Sequence, residues 1–288
     1  MKMNYWTTIE EQFLIDNHDK FNINELAQYI NRSVVGIRKK LYKMGLVWKE
    51  FTNEEIRQNL HKYCVNEDFF KSWSNDMAYI LGLWYADGHI TKGGPQKSVY
   101  VFSIALHNDD SEILSQIMNK MNSTYKIYQH AETVKAFKIN SKPIYEDIVS
   151  LGGCERKSLD LLFPKTIPDE VVPDFIRGYF DGDGCINYHS NMKAFRTTFV
   201  CGCKEFLEEI HKRLKLIDQT LKGQLSFQQN DHNGIYHLTF YKHDTLKFAN
   251  IIYSNPNSLY LKRKYNGFKK AYELIMGENK DDEQIVGS

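Results

Sequence analysis

The sequence predicts an α+β protein: a small all-α module, then two pseudo-symmetric halves, each in the order α-β-β-α-β-β-α. Three observations lead there. Apolar residues recur at helical spacing through residues 1–46. From about Ser74 to Phe268, short stretches of strand-like alternation are interleaved with amphipathic helices, and the order of these elements occurs twice, as in an internal duplication. Each half opens on an apolar helix that finishes in Asp-Gly, at Asp87-Gly88 and Asp183-Gly184.

In the module, Thr7 and Thr8 stand three residues before Glu10 and Glu11, a capping-box start for a helix through Phe13 and Leu14. A second short helix follows from Asn24 through Leu26, Ala27 and Ile30. Asn31-Arg32-Ser33 makes a turn, and Ser33 can cap a third helix from Val34 to Met44. Val34, Ile37, Leu41 and Met44 share one face of it, Arg38, Lys39 and Tyr42 lie outside, and Gly45 ends it. Two helices joined by a three-residue turn, the second one basic, predict a helix-turn-helix over residues 1–46. Residues 47–73 are charged and polar and predict a linker with one short helix capped by Thr52 and Glu55.

The first half spans 74–163 and the second 164–270, with a flexible tail expected over 271–288. After its opening helix the first half shows Val99–Leu106, Ser111–Met121, Thr124–His130, Ala136–Ile139 and Pro143–Leu151. The second shows Phe195–Val200, Lys204–Leu216, Gln224–Gln228, Ile235–Tyr241 and Asp244–Ile252. Each half closes on a basic cluster, Glu155-Arg156-Lys157 and Lys262-Arg263-Lys264. Pro164, Pro168 and Pro173 mark the seam between the halves.

Composition narrows the class. A 42 % hydrophobic and 25 % charged chain is ordinary globular protein, and no apolar run approaches a membrane span, so no membrane partner is expected. The N-terminus lacks a signal-peptide progression, and five scattered cysteines suit a reducing compartment, so a cytoplasmic or organellar location is expected. Cys201-x-Cys203 has no second pair at zinc spacing. The net charge of +1 is uninformative, but its distribution is not. Asn31 to Lys49 holds six basic residues and Lys262 to Lys270 five, neither run with an acid, which favours a polyanionic partner.

The two opening helices, Ile80-Leu81-Gly82-Leu83-Trp84-Tyr85-Ala86-Asp87-Gly88 and Ile176-Arg177-Gly178-Tyr179-Phe180-Asp181-Gly182-Asp183-Gly184, place small residues four apart. Gly82 with Ala86, and Gly178 with Gly182, form a stripe on which a second backbone can approach closely. Packed stripe to stripe, the helices bring Asp87 and Asp183 side by side at their C-terminal ends. Helix C-termini leave carbonyls unpaired and carry partial negative charge, so two carboxylates there need a cation between them. Mg2+ suits such a site, with Asp87 and Asp183 as ligands and Ala86 and Gly182 contributing carbonyls, and Ca2+ or Mn2+ substituting for binding. An EF-hand is excluded, because Ile186 and Met192 stand where that loop needs Gly and Glu.

The motif pair resembles the LAGLIDADG homing endonucleases of the single-chain, two-motif kind, over roughly Asn66 to Phe268. The likeness includes Asn66-Glu67-Asp68-Phe69-Phe70, Gly152-Gly153-Cys154-Glu155-Arg156-Lys157 and Tyr260-Leu261-Lys262-Arg263-Lys264-Tyr265. Trp6-Thr7, Leu26-Ala27, Arg32-Ser33, Ile37, Leu41 and Gly45-Leu46 resemble Myb-like helix-turn-helix modules, which occur fused to this family. The resemblance implies a saddle whose concave sheets lie in the major groove, metal-dependent cleavage of both DNA strands at a long site, and metal binding by the last acid of each motif, Asp87 and Asp183. Asp181 falls on a non-catalytic position that Tyr85 occupies in motif one. It also implies a lysine near each active site, for which Lys157 and Lys264 are the candidates, with Lys262 and Arg263 as competitors.

On that basis Phe195, Thr197 and Phe199 face the helices, and Arg196, Thr198 and Val200 face outward. Tyr236, Leu238 and Phe240 pack inside, and His237, Thr239 and Tyr241 face out, as do Ser226, Gln228, Lys126 and Lys138. The candidate DNA-binding residues are therefore Arg32, Ser33, Arg38, Lys39 and Tyr42 in the module and Lys126, Lys138, Arg196, Thr198, Gln228 and His237 on the sheets. The chain starts without a Cys or Ser nucleophile and ends without His-Asn, so a free-standing enzyme rather than an intein is expected, acting as a monomer on double-stranded DNA. Its Asn, Lys, Ile and Tyr content points to an AT-rich bacterial, phage or organellar genome. Two other functions stay open: a DNA-binding regulator of this fold without cleavage, and a maturase acting on intron RNA. Both acids are present, which argues against the first, and the Myb-like module favours duplex DNA over RNA.

Overall fold

The computed structural model describes residues 6–48, 63–94, 98–155, 161–190, 194–229, 234–255 and 259–285. They divide into two compact units, 1–62 and 63–288. In the first unit, α1 (Thr8–Asn17), α2 (Ile23–Ile30) and α3 (Val34–Met44) enclose Leu14, Leu26, Ala27, Ile37 and Leu41. Capping explains where they start. Thr7 Oγ1 accepts from Glu10 N–H at 3.2 Å while Glu10 Oε2 accepts from Thr7 N–H at 2.7 Å, and Asn22 and Glu25 repeat that reciprocal box at α2. Asn31 at φ 56° and Gly45 at φ 68° close α2 and α3 in the left-handed region. The short helix expected over Thr52 and Glu55 lies outside the described residues.

The second unit contains two copies of one arrangement. The first has α4 (Asn75–Asp87), β1 (Gly88–Gly93), β2 (Val99–His107), α5 (Glu112–Lys120), β3 (Ile127–Ala131), β4 (Val134–Asn140) and α6 (Lys142–Ser150). The second has α7 (Val172–Asp183), β5 (Cys185–His189), β6 (Ala194–Cys201), α8 (Lys204–Ile217), β7 (Gln224–Gln228), β8 (Ile235–Tyr241) and α9 (His243–Ile252), followed by α10 (Lys262–Ile285). The sheets have the same antiparallel order, β1-β2-β4-β3 and β5-β6-β8-β7. One face of each is buried, through Ile90, Phe102, Ile104, Phe137 and Ile139 in the first and Phe199, Leu238 and Phe240 in the second.

α4 and α7 run through the centre of this unit. Every residue of α4 from Met77 to Tyr85 is buried, which is why its sequence is apolar on all sides rather than on one stripe.

Two boundaries differ from the sequence expectation. The expected linker ends earlier, because Phe70 is buried in the main core with Phe69 and Trp73 against it, and Asn66 N–H donates to Met121 O at 2.9 Å. Three aromatics within a polar stretch are the physical reason. The expected flexible tail is also corrected at its start: α10 continues past residue 270, and Ala271 and Ile275 pack on Phe195, Leu246 and Ile186.

Candidate active site and nucleic-acid interface

The site is built by the approach of α4 and α7. A methyl group on Gly82 would sit 2.0 Å from Phe175 O, and one on Gly178 would sit 2.1 Å from Tyr79 O. Each glycine therefore faces the other helix's backbone, and only the absence of Cβ permits the distance. Farther down the seam, a methyl on Gly182 would meet Ala86 Cβ at 2.3 Å and Asp87 Oδ2 at 2.6 Å. The Asp87 carboxylate thus reaches across onto α7 one residue before Asp183. Both helices end at these acids: Gly184 N–H closes α7 on Phe180 O at 2.7 Å, Gly88 N–H closes α4 on Trp84 O, and strands leave directly. Asp87 is half-buried and Asp183 exposed.

The donor set fits a hard divalent cation. Two carboxylates stand at adjoining helix C-termini beside the backbone of Ala86 and Gly182, where the helix dipoles add partial negative charge. Among the described residues no three His, Cys, Asp or Glu side chains converge, so an ion here would complete its shell with water and phosphate oxygens, as Mg2+ does.

Of the basic residues closing the second half, Lys264 alone turns inward. It is 5 % exposed, donates to Gly184 O next to Asp183, and stands 5.2 Å from the Phe180 ring. Burial, followed by the neighbouring Arg263, holds its ammonium below the ordinary lysine pKa. The competitors are engaged elsewhere: Arg263 pairs with Asp110 at 2.6 Å and Lys262 with Glu112 at 2.8 Å, both acids of the first half. Lys157 lies outside the described residues.

Sequence reasoning passed over a buried polar lattice behind this corner. Asp181 accepts from Tyr79 Oη at 2.7 Å, Leu261 N–H at 2.7 Å and Tyr253 Oη at 3.4 Å. Arg177, one helical turn earlier, donates to Leu259 O at 2.8 Å, Ile252 O at 2.6 Å and Asp174. Asp174 also accepts from Asn75 Nδ2 at 2.6 Å. The signal was available in the spacing, since Asp174, Arg177 and Asp181 fall three and four residues apart on an otherwise apolar helix. Burial pushes the Asp181 carboxyl up to about 6, against the lowering effect of its Tyr79 and Leu261 hydrogen bonds. Its folded pKa lies above the unfolded one, so folding takes up a proton between about pH 4 and 6. Wild-type stability relative to Asp181→Asn is therefore expected to be greatest at pH 4 and to decline as pH rises to about 6, then level off. Urea denaturation of both proteins across that range checks it; parallel profiles would refute it.

Comparison with known proteins bears on the same region. Residues 170–253 match the family model described as a LAGLIDADG-like domain. A crystal structure of the LAGLIDADG meganuclease I-CpaMI bound to uncleaved DNA matches with TM-score 0.50 at 16 % identity, covering 72 % of this chain and 94 % of that one. A structure of I-DmoI in complex with DNA and Ca matches with TM-score 0.46 at 20 % identity over 71 % and 99 % of the two chains. Among curated sequences, replication factor C small subunit of Methanocaldococcus jannaschii is 25 % identical over 242 residues, 81 % of this chain. The chain spans only 12 % of that relative's length. The α+β architecture, with its two four-stranded antiparallel sheets, is the LAGLIDADG saddle fold.

Lys138 and Gln228 are exposed on the sheets and Lys126 is exposed one residue before β3, while Arg196 and His237 are half-buried on the sheet face away from the helices. Thr198 corrects the expectation. It is 7 % exposed, flanked by Cys185 and Thr239 on the neighbouring strands of its sheet, with its hydroxyl 3.4 Å from that of Thr239.

In the N-terminal unit, Arg38, Lys39 and Tyr42 are exposed on one side of α3. Ser33 is exposed, but its hydroxyl is used to cap α3 at Gly36 N–H, 3.1 Å away. Arg32 is a second correction: its guanidinium binds Glu10 at 2.8 Å and lies 4.7 Å from the Trp6 ring, so it braces α1 instead of projecting outward. Arg32 in turn holds the Glu10 carboxyl down at about 2.

Proposed function

We propose that this chain is a site-specific, divalent-metal-dependent endonuclease that hydrolyses both strands of duplex DNA at a long recognition site. The observation that carries this reading is the side-by-side ending of α4 and α7 in Asp87 and Asp183, one acid from each of two matching halves. A substrate with two antiparallel strands has the same pseudo-twofold symmetry, and one chain supplies both acids, so a monomer suffices. Asp87 and Asp183, with the carbonyls of Ala86 and Gly182, would hold the metal. Bound there, Mg2+ would supply Lewis-acid charge and a water of lowered pKa. Lys264, fixed against Gly184 O, places a positive charge where a scissile phosphate would enter. I-CpaMI was crystallised on uncleaved DNA, and we extend duplex DNA as partner to this chain. Lys126, Lys138, Arg196, Gln228 and His237 would contact it from the sheets.

The N-terminal unit would lengthen the site as a helix-turn-helix. Its cations are sorted to that end. Arg32 and Lys40 are neutralised by Glu10 and Glu11 of α1, which leaves Arg38 and Lys39 outward beside Tyr42. Lys39→Ala is expected to weaken binding evenly across sequences and to lower the slope of log affinity against log salt by about 1. An unchanged slope would remove Lys39 from the interface.

The deciding experiment incubates the protein with a randomised or host-derived duplex library in Mg2+ and in Ca2+. Mg2+-dependent cuts at one long sequence establish the reading. Specific fragments that are retained and never cut indicate a DNA-binding regulator on the same scaffold. Preference for folded intron RNA over duplex indicates a maturase.

A further inference from the structure

α10 begins against the electrostatic rule for helices. Its first turn carries Lys262, Arg263 and Lys264 and no acid, where the helix dipole favours negative charge. Acids from elsewhere offset this: Glu112 on Lys262, Asp110 on Arg263, and Asp181 beneath the helix start. A local rule broken and compensated at several points marks a place kept for function.

The compensation by Asp181 is specific. Leu261 O accepts the first intrahelical bond, from Tyr265 N–H at 3.1 Å, so Leu261 is the N-cap of α10 and Lys264 its third helical residue. An N-cap amide has no intrahelical partner. Here it donates to Asp181 Oδ2 at 2.7 Å, a buried carboxylate whose other contacts, Tyr79 and Tyr253, fix it in turn. Arg177 pins the incoming chain through Leu259 O. The start of α10 is thereby locked in rotation and height, with Lys264 aimed at Gly184 O. The last turn of α7 thus presents Asp183 to the site and, through Asp181, sets the lysine beside it. Among the described residues the first half shows no counterpart: Tyr85 stands in the place of Asp181 and donates to Leu151 O, and Leu81 stands in the place of Arg177.

We propose that Asp181 is a positioning residue that sets Lys264 at the Asp183–Gly184 corner, and that it serves the cutting of one DNA strand and not the other. The proposal rests on the nuclease reading above. Two measurements test it separately. In the protein alone, hydrogen exchange should show the Leu261 amide protected far beyond an ordinary helix start; exchange at the rate of an uncapped first turn would overturn the positioning. On a duplex selected by the wild type and labelled differently on each strand, Asp181→Leu should slow one strand about tenfold relative to the other, the loss of one charge-assisted hydrogen bond. Asp181→Asn, which keeps an acceptor for Leu261, should recover most of that ratio; if Asp181→Leu does not fold, Asp181→Ala, which also removes the acceptor, takes its place. Affinity in Ca2+ should not change with either. Equal slowing of both strands is what a merely structural role gives, and it overturns the proposal. A wild type that cuts no duplex sinks the nuclease reading instead, and Leu261 protection then decides the positioning alone.

Discussion

Asp183→Asn is expected to lower double-strand cleavage by at least about a hundredfold, the scale on which enzymes lose a preorganised charge-stabilising group, while leaving DNA binding largely intact. The substitution keeps size and shape and removes one charge, at the exposed last residue of a tightly packed helix. Nothing in the seam between α4 and α7 has to move, because that seam depends on Gly82, Gly178 and Gly182 and not on the carboxylate. Stability should change the other way. A carboxylate at a helix C-terminus is unfavourable by about 0.3–1 kcal/mol, and Asp87 stands close by. The metal-free variant should therefore melt at a slightly higher temperature than wild type. Activity lost with stability gained is what a strained functional site shows when it is relieved. Loss of binding along with cleavage, or a fall in melting temperature, would make Asp183 a structural residue.

What could be read from the sequence follows the range of the forces involved. The two aspartate helices were legible because close packing needs small residues at fixed spacing, and Gly82, Ala86, Gly178 and Gly182 show it locally. Strands β7 and β8 were legible to the residue, Gln224–Gln228 and Ile235–Tyr241, because alternation is also local. Thr124–His130 was not. β3 starts at Ile127, since Thr124 is engaged by its N–H on Cys64 O and its hydroxyl on Cys64 N–H, 60 residues away. β1 and β5 could not be bounded in advance because they are short and leave directly from Gly88 and Cys185, and only pairing with β2 and β6 defines them. Arg32 looked like a DNA contact because its partner Glu10 is 22 residues away. At the site, the carboxylates follow from the motif. The lattice that holds Lys264 joins α4, α7 and the chain before α10, and no local pattern reports such a union.

Arg177 gives the largest expected effect on stability. It is 1 % exposed and ion-paired with the buried Asp174, and it satisfies two carbonyls, Leu259 O and Ile252 O. Breaking a buried pair from one side leaves the other charge uncompensated, at a cost of about 3–5 kcal/mol. Arg177→Leu should therefore lower the unfolding free energy by about that much in urea denaturation. The molecule contains the design for its own control. In the first half the equivalent positions hold Leu81 and Ala78, an apolar solution to the same place in the fold, and both are fully buried. Introducing both residues, as Arg177→Leu with Asp174→Ala, removes the orphaned carboxylate and should restore part of the loss. Recovery should stop short of wild type, because two carbonyls and Asn75 remain without the partners they now have, each worth about 1 kcal/mol or more when buried. A double variant no more stable than Arg177→Leu would mean that the ion pair is not what Arg177 contributes. The cost would then lie in the carbonyls, and hence in the anchoring of the chain that leads into α10.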